Sequence, residues 1–312
     1  MFNLLMCKQA DGLFQQADGL FQQAIMESGT ICCGFTPMIG ADDAKSLYMT
    51  KMLLHTLGVK DDEAGLEALR GLDPMLLANL VSPQVNELVD KPYAFMPIFD
   101  GVVLPKEPIK ALQEGDYNRG VKVIIGTNAH EGDLFDGFPI SDYEVPKYLI
   151  RNYGGEDYKA IMDIYEKDRR SVAKQVNELV ALTLFMVPGA IVQDSLASHG
   201  ETVYAYEFDY VGSGGVQPIH MSELPYAFGN LDVSNRNPTA TDLKVEEQMH
   251  GMWVNFIKTG DPNSGNLPCD TSWGKYSEDG RGAFHFDGEC SFGAKTLGDK
   301  IDAVKPHYHM CG

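Results

Sequence analysis

A chain of 312 residues that is 44% hydrophobic can bury a sizeable core and fits one large domain or two small ones. Its 25 basic residues stand against 44 acidic ones, a net charge of −19, which gives a phosphate-binding surface no electrostatic support and excludes nucleic acid as an expected partner. Six cysteines over this length, two of them adjacent at Cys32 and Cys33, exclude a dense disulfide framework.

Met1-Phe-Asn-Leu-Leu has neither a basic start nor an apolar stretch of signal-peptide length, and no run approaches the roughly 18 apolar residues of a membrane span. A cytoplasmic location with reduced thiols is the expectation; in a secreted protein Cys269 and Cys290 could pair. Gln9-Ala-Asp-Gly-Leu-Phe-Gln15 recurs at once as residues 16–22, a tandem copy too short for a solenoid repeat. Ala41 to Leu57 predicts a helix with Ala44, Leu47, Leu54 and Leu57 on one stripe and Gly58 as its stop. Asp61 to Arg70 and Pro74 to Val81 predict shorter helices. Four prolines (Pro92, Pro97, Pro105, Pro108) punctuate an extended segment, Tyr93 to Leu104, whose Phe95, Met96, Ile98 and Phe99 read as core lining, with a tight turn at Asp100-Gly101.

Val121, Val123, Ile124 and Ile125 form a β-branched run with almost no polar alternation, as suits a parallel strand covered on both faces. Ligand crevices in such sheets lie beyond the carboxyl ends of the strands. Gly126, Thr127 and Asn128 supply turn chemistry there, so Glu131 is delivered to the crevice rim. Tyr143 to Tyr153, Tyr158 to Glu166 and Val172 to Ser198 are helical by composition apart from Pro188. Their apolar cluster Leu182, Leu184, Phe185, Met186 and Val187 reads either as packing or as the lining of an acyl pocket.

A second apolar run, Val203 to Phe208, leads through Gly212-Ser-Gly-Gly215 and Pro218 to His220. A histidine on the loop after the next strand is what an acid-then-histidine triad order requires. His55, His199, His250 and His285 read as buried, hydrogen-bonded structural histidines. Thr239 and Asp242 read as the capping pair of a helix with Val245, Met249, Met252, Trp253, Phe256 and Ile257 on its core stripe and Gly260-Asp-Pro at its end. Asn263 to Gly282 is loop-rich, and Ala283 to Phe286 reads as a last edge strand. His307 and His309 could form a metal pair, but two histidines do not make a site, and no metal is expected.

Gly126-Thr-Asn-Ala-His-Glu-Gly132 resembles the catalytic-acid segment of the type B carboxylesterase and cholinesterase family, and His220-Met-Ser-Glu-Leu-Pro-Tyr-Ala-Phe-Gly229 resembles its catalytic-histidine segment. Three further stretches are similar to that family and run in the same order: residues 19–29, 96–105 and 253–263. The resemblance implies an α/β-hydrolase fold, a Ser-His-Glu triad, no cofactor and a small-molecule carboxylic ester as substrate. It assigns Glu131 and His220 as the catalytic acid and base. Ser28, where Met26 stands in place of the first glycine of a nucleophile motif, it assigns to support of the acid from behind.

The same resemblance exposes a gap, because this sequence contains no G-x-S-x-G and no upstream glycine-rich oxyanion loop. The expectation is a single truncated domain over residues 1–312: a partial α/β-hydrolase fold, the C-terminal portion of a mostly parallel sheet flanked by helices, with a helical lid-like region at about 140–200. Such a chain has no nucleophile of its own and is expected to be inactive alone, and to self-associate or depend on a missing N-terminal half. The alternative is a non-catalytic, cholinesterase-like binding or adhesion module.

Overall fold

The computed structural model describes residues 2–7, 21–29, 44–81, 98–135, 158–165, 170–233, 237–266, 269–277 and 280–308. Most of the tandem repeat, the predicted helix Tyr143 to Tyr153, and Cys32, Cys33, Phe95, Met96 and His309 lie outside them.

Among the described residues five strands form one sheet in sequence order: β1 (Gln23–Glu27), β2 (Lys122–Asn128), β3 (Val203–Phe208), β4 (Ala283–Phe286) and β5 (Ser291–Gly293). The first four are parallel, and β5 runs antiparallel to β4. The β-branched run of β2 has the reason expected of it: Val123 and Ile125 enter one core, with Ala24, Met26, Val203 and Ala205, while Ile124 enters the other, with Tyr204, Tyr206 and Phe284. Register places Gly126 between Glu27 and Tyr206. A Cβ on Gly126 would lie 2.2 Å from the Tyr206 carbonyl oxygen, so only glycine fits there.

Helices cover both faces. On the first lie α1 (Phe2–Met6) and α5 (Pro108–Glu114); between these two in the chain come α2 (Ala44–Leu57), α3 (Glu63–Arg70) and α4 (Pro74–Val81). After α6 (Tyr158–Asp163), α7 (Val172–Ser198) brings Val192 and Leu196 onto that same face. Pro188 does not interrupt α7. Residues Leu182–Met186 widen into a π-turn in which Val187 N donates to Leu182 O, and this slack accommodates the ring that an ideal turn would clash with. By length and composition α7 could cross a bilayer, contrary to the expectation that no segment approaches one, yet 83% of its most apolar window is buried within the protein.

The other face carries α9 (Ala240–Thr259). Asp242 N donates to Thr239 Oγ1 at 3.2 Å and Thr239 N to Asp242 Oδ2 at 2.7 Å, the predicted capping box, and Gly260 ends the helix. Val245, Met249, Met252, Trp253 and Phe256 are buried, each large side chain contributing roughly 1.5–3 kcal/mol. Ile257, expected on the same stripe, is 61% exposed, one position past the buried arc. Ala283–Phe286 is not an edge: it pairs with β3 on one side and β5 on the other, and all four residues are buried. The chain then continues into α10 (Gly298–Val304).

Candidate active site

At the carboxyl end of β2 the backbone turns through Ala129 and His130 into a 3-10 turn, Glu131–Phe135. Gly132 makes the turn possible against α7, since a Cβ there would meet the Asn177 carbonyl oxygen at 1.8 Å. Asn177 Nδ2 in turn donates to Asp133 Oδ1 at 3.1 Å. Glu131 is left with no solvent exposure. A buried carboxylate needs donors, and three converge: Oε1 accepts from Asn128 N at 2.7 Å and from Ser28 Oγ, while Oε2 faces His220 Nδ1 at 2.6 Å.

Ser28 follows β1 directly, and its N donates to Gly126 O at 2.9 Å, extending the β1–β2 pairing by one residue. Its φ of 52° is left-handed, a conformation costing a non-glycine residue about 1–2 kcal/mol. The buried hydrogen bond to Glu131 offsets that cost and occupies the hydroxyl as a donor.

His220 comes from the loop after β3. His130 N donates to Pro218 O at 3.0 Å, and the His130 to Ile219 bridge ties this loop to the acid turn. Met221, with φ 73°, turns the chain towards the short helix α8 (Leu224–Ala227). Because Nδ1 faces a carboxylate it carries the proton, which leaves Nε2 its lone pair on a side chain that is 25% exposed. The hydrogen bond to Glu131 raises the His220 pKa above its ordinary value, against the opposing effect of burial. The Phe185 ring lies over the imidazole, centroids 4.7 Å apart and tilted 35°, and limits ring rotation.

Two more carboxylates stand behind the pair. Burial pushes Glu223 up to about 7, and its side chain accepts from Asn128 Nδ2. Asn128 Nδ2 also donates to Ile219 O at 2.8 Å, so one amide braces both loops. Glu27 is raised by burial and accepts from Trp253 Nε1 at 2.7 Å.

Chemically, the arrangement can take a proton at Nε2, hold the resulting imidazolium against Glu131, and return the proton. Glu131, His220 and Ser28, named from sequence, meet at one point. His130 stays outside, its Nδ1 3.1 Å from Asp133 Oδ2. Sequence reasoning passed over Asn128 as mere turn chemistry and over Glu223, although Glu223 lies only three residues after His220 in the same turn. Phe185 belongs to the apolar cluster that reads as packing or as the lining of an acyl pocket, and the sequence gives no sign that it lies over the His220 ring.

Among the other histidines, His199 Nδ1 faces Ser195 O at 2.8 Å and His250 Nδ1 faces Ala227 O at 3.0 Å, whereas His55, expected to be buried, is exposed. Among the described residues one group, Glu207, Asp209 and His285, brings potential metal-ligand atoms within 4.8 Å of one another. His285 faces acceptors with both nitrogens, Asp209 Oδ2 at 2.9 Å and Ala294 O at 3.0 Å. Its ring is therefore a cation with no lone pair for a metal.

Known proteins share this arrangement of chain. The sequence matches the Carboxylesterase family over residues 10–296. It is 31% identical to the para-nitrobenzyl esterase of Bacillus subtilis (strain 168), over 97% of this chain and 59% of the relative. It is 29% identical to the phenmedipham hydrolase of Pseudarthrobacter oxydans, over 72% of this chain and 47% of that protein. A solved thermophylic PNB esterase superposes with a TM-score of 0.76 at 26% identity, covering 97% of this chain and 60% of the other. The chain thus spans about half to three fifths of the length of these relatives, and its five-stranded sheet is part of an α/β-hydrolase fold. With a family match over nearly its whole length, the chain belongs to the carboxylesterase family.

Proposed function

We propose that Glu131 and His220 are the acid and base of a serine-type carboxylic-ester hydrolase acting on a small-molecule ester. The observation that carries this is the 2.6 Å contact between His220 Nδ1 and a carboxylate that is wholly buried and already held by two other donors. That is the arrangement which fixes the tautomer and aims Nε2 at a hydroxyl. Ser28 is a support of Glu131 in this reading, because its hydroxyl is spent on Oε1.

The serine that Nε2 would activate is not supplied by a G-x-S-x-G in these 312 residues. We infer that this chain by itself turns over no ester through a triad, and that a segment bearing the nucleophile and oxyanion donors completes the site. Joining the front segment of the Bacillus subtilis relative to this chain is the test. The fusion should hydrolyse a p-nitrophenyl ester, lose that activity on His220→Ala or Glu131→Gln, and contrast with the unfused chain, whose turnover His220→Ala leaves unchanged. Fusion activity indifferent to both substitutions would overturn the assignment. The second reading, a partner-binding module, is favoured by the absent motif; it expects no fusion activity at all. Among the described residues β1 is an edge, and we propose that it pairs with a second copy or a complementing segment, visible as a dimer by size-exclusion chromatography with light scattering.

A further inference from the structure

Cys269 and Cys290 are both free thiols 21 positions apart, and the fold sets them side by side. Cys269 lies in the loop between α9 and β4, half-buried against the aromatic core of which Cys290 is a member. One hydrogen bond ties the two segments, Thr271 Oγ1 donating to Cys290 O at 3.0 Å, while Cys269 Sγ donates to Thr271 O at 3.3 Å within its own loop. Cys290 itself stands in the turn between β4 and β5 with φ 62°, a left-handed conformation uncommon for a side-chain-bearing residue, and its N donates to Asp287 Oδ1 at 2.9 Å. The turn thus holds the Cys290 side chain against the core, where its thiol interacts with that of Cys269.

We propose that Cys269 and Cys290 are a dithiol–disulfide pair which, when oxidised, clamps the loop after α9 to the β4–β5 turn. The co-reactant is a small-molecule disulfide. The Cys269 thiolate, on the more accessible sulfur, attacks it, forming a mixed disulfide and expelling one thiol. The Cys290 sulfur then attacks Cys269 Sγ, forming the intramolecular bond and expelling the second thiol. Two cysteine thiols are oxidised, one disulfide is reduced to two thiols, and both protons leave with those thiols. Burial raises the Cys290 thiol pKa and holds back its thiolate, so the half-buried Cys269 is the entry point and Cys290 attacks second, once the mixed disulfide stands beside it.

The clamp matters because of what the loop carries. Trp273, four residues after Cys269, donates from Nε1 to Ala205 O of β3 at 2.9 Å and packs on Trp253, the ring that hydrogen-bonds Glu27. Closing a loop of this length restricts the unfolded chain, so oxidation should raise the melting temperature.

The experiment treats the purified 312-residue chain with oxidised glutathione under native conditions, alkylates the remaining thiols in acid and maps tryptic peptides without reduction. Cleavage at Lys258, Lys275, Arg281 and Lys295 places the two cysteines on separate peptides. The expected result is a cross-linked Cys269–Cys290 peptide, with Cys7 still alkylated, and a melting temperature about 5 °C higher that dithiothreitol restores. Cys269→Ser, at the half-buried position, should melt as the reduced protein does and show neither cross-link nor rise; Cys290→Ser should do the same. Glutathione retained on Cys269 without a cross-link, both thiols alkylated after treatment, or cross-linking to another cysteine would each overturn the proposal. The outcome is independent of any esterase assay.

Discussion

Two carboxylate–histidine pairs sit at the parallel sheet, one built on a glutamate and one on an aspartate. Glu131 and His220 meet at 2.6 Å beyond β2, while Asp209 and His285 meet at 2.9 Å beyond β3. In both, Nδ1 faces the carboxylate, and that bond leads the causes raising the histidine pKa. They differ at Nε2. In His285 it is tied to Ala294 O at 3.0 Å, so the ring is fully bonded and cationic. Among the described residues only Nδ1 of His220 is engaged, so in the neutral ring Nε2 keeps a lone pair at a partly open surface. A carboxylate beside a histidine makes an ion pair; a base also needs an unspent nitrogen.

The sharpest way to break this contrast is to remove each carboxylate's charge. In the fusion described above, Glu131→Gln should lower kcat by roughly 10³- to 10⁴-fold, because the tautomer is no longer fixed. Asp209→Asn should leave kcat within about twofold. Equal losses in a steady-state assay would show the two pairs to be equivalent.

Next in size is the pH dependence contributed by Glu223. Its folded pKa of about 7 lies above the ordinary glutamate value of 4.5. An acid raised on folding favours the protonated native state, so its stability contribution is full below about 4.5 and lost as pH climbs to about 7. By linkage the fall is roughly 3 kcal/mol. Glu223→Gln, which can still accept from Asn128, should flatten that slope in urea titrations run between pH 4.5 and 7.5. An unchanged slope would place the ionisation elsewhere.

His285 sharpens the comparison from the other side. Its pKa is raised, so its ion pair stabilises the fold below the ordinary histidine range near 6.5 and that stabilisation is lost as pH rises through the raised value. His285→Gln should remove this alkaline loss and cost about 1–2 kcal/mol near pH 6. In NMR spectra of the protonated rings, the Nε2 proton of His285, bonded to Ala294 O, should exchange more slowly with water than that of His220.

The smallest effect belongs to Ser28→Ala. Glu131 keeps Asn128 N and His220, so the fusion should lose no more than about tenfold in kcat, and stability should change by about 1 kcal/mol. Loss of all activity would make Ser28 the nucleophile, which its hydrogen bond to Glu131 argues against.

Much of this was legible in local sequence. The β-branched run of β2, the Thr239–Asp242 capping box and the turn at Asp100, whose Oδ1 accepts from three backbone N–H groups, each depend on neighbours within a few residues. Glu131 and His220 were found through family-like segments and chain order, 89 positions apart. Asn128 and Glu223 were missed because what distinguishes them is burial and a cross-loop amide, neither of which leaves a periodic mark.

The sequence by itself determined strand β2, the strand leading to His220 and the capped helix α9, and which residue types reach the strand ends, since propensity, capping and hydrophobic period act locally; it did not mark α5, β5 or α10. Only the tertiary structure decided that Ala283–Phe286 is interior, that Pro188 rides on a π-turn, that Ile257 faces solvent, and that one histidine keeps a free nitrogen while another loses it to a carbonyl. These are settled by long-range partners, and hydrogen-bond saturation of a ring nitrogen depends on a backbone atom that no side-chain pattern encodes.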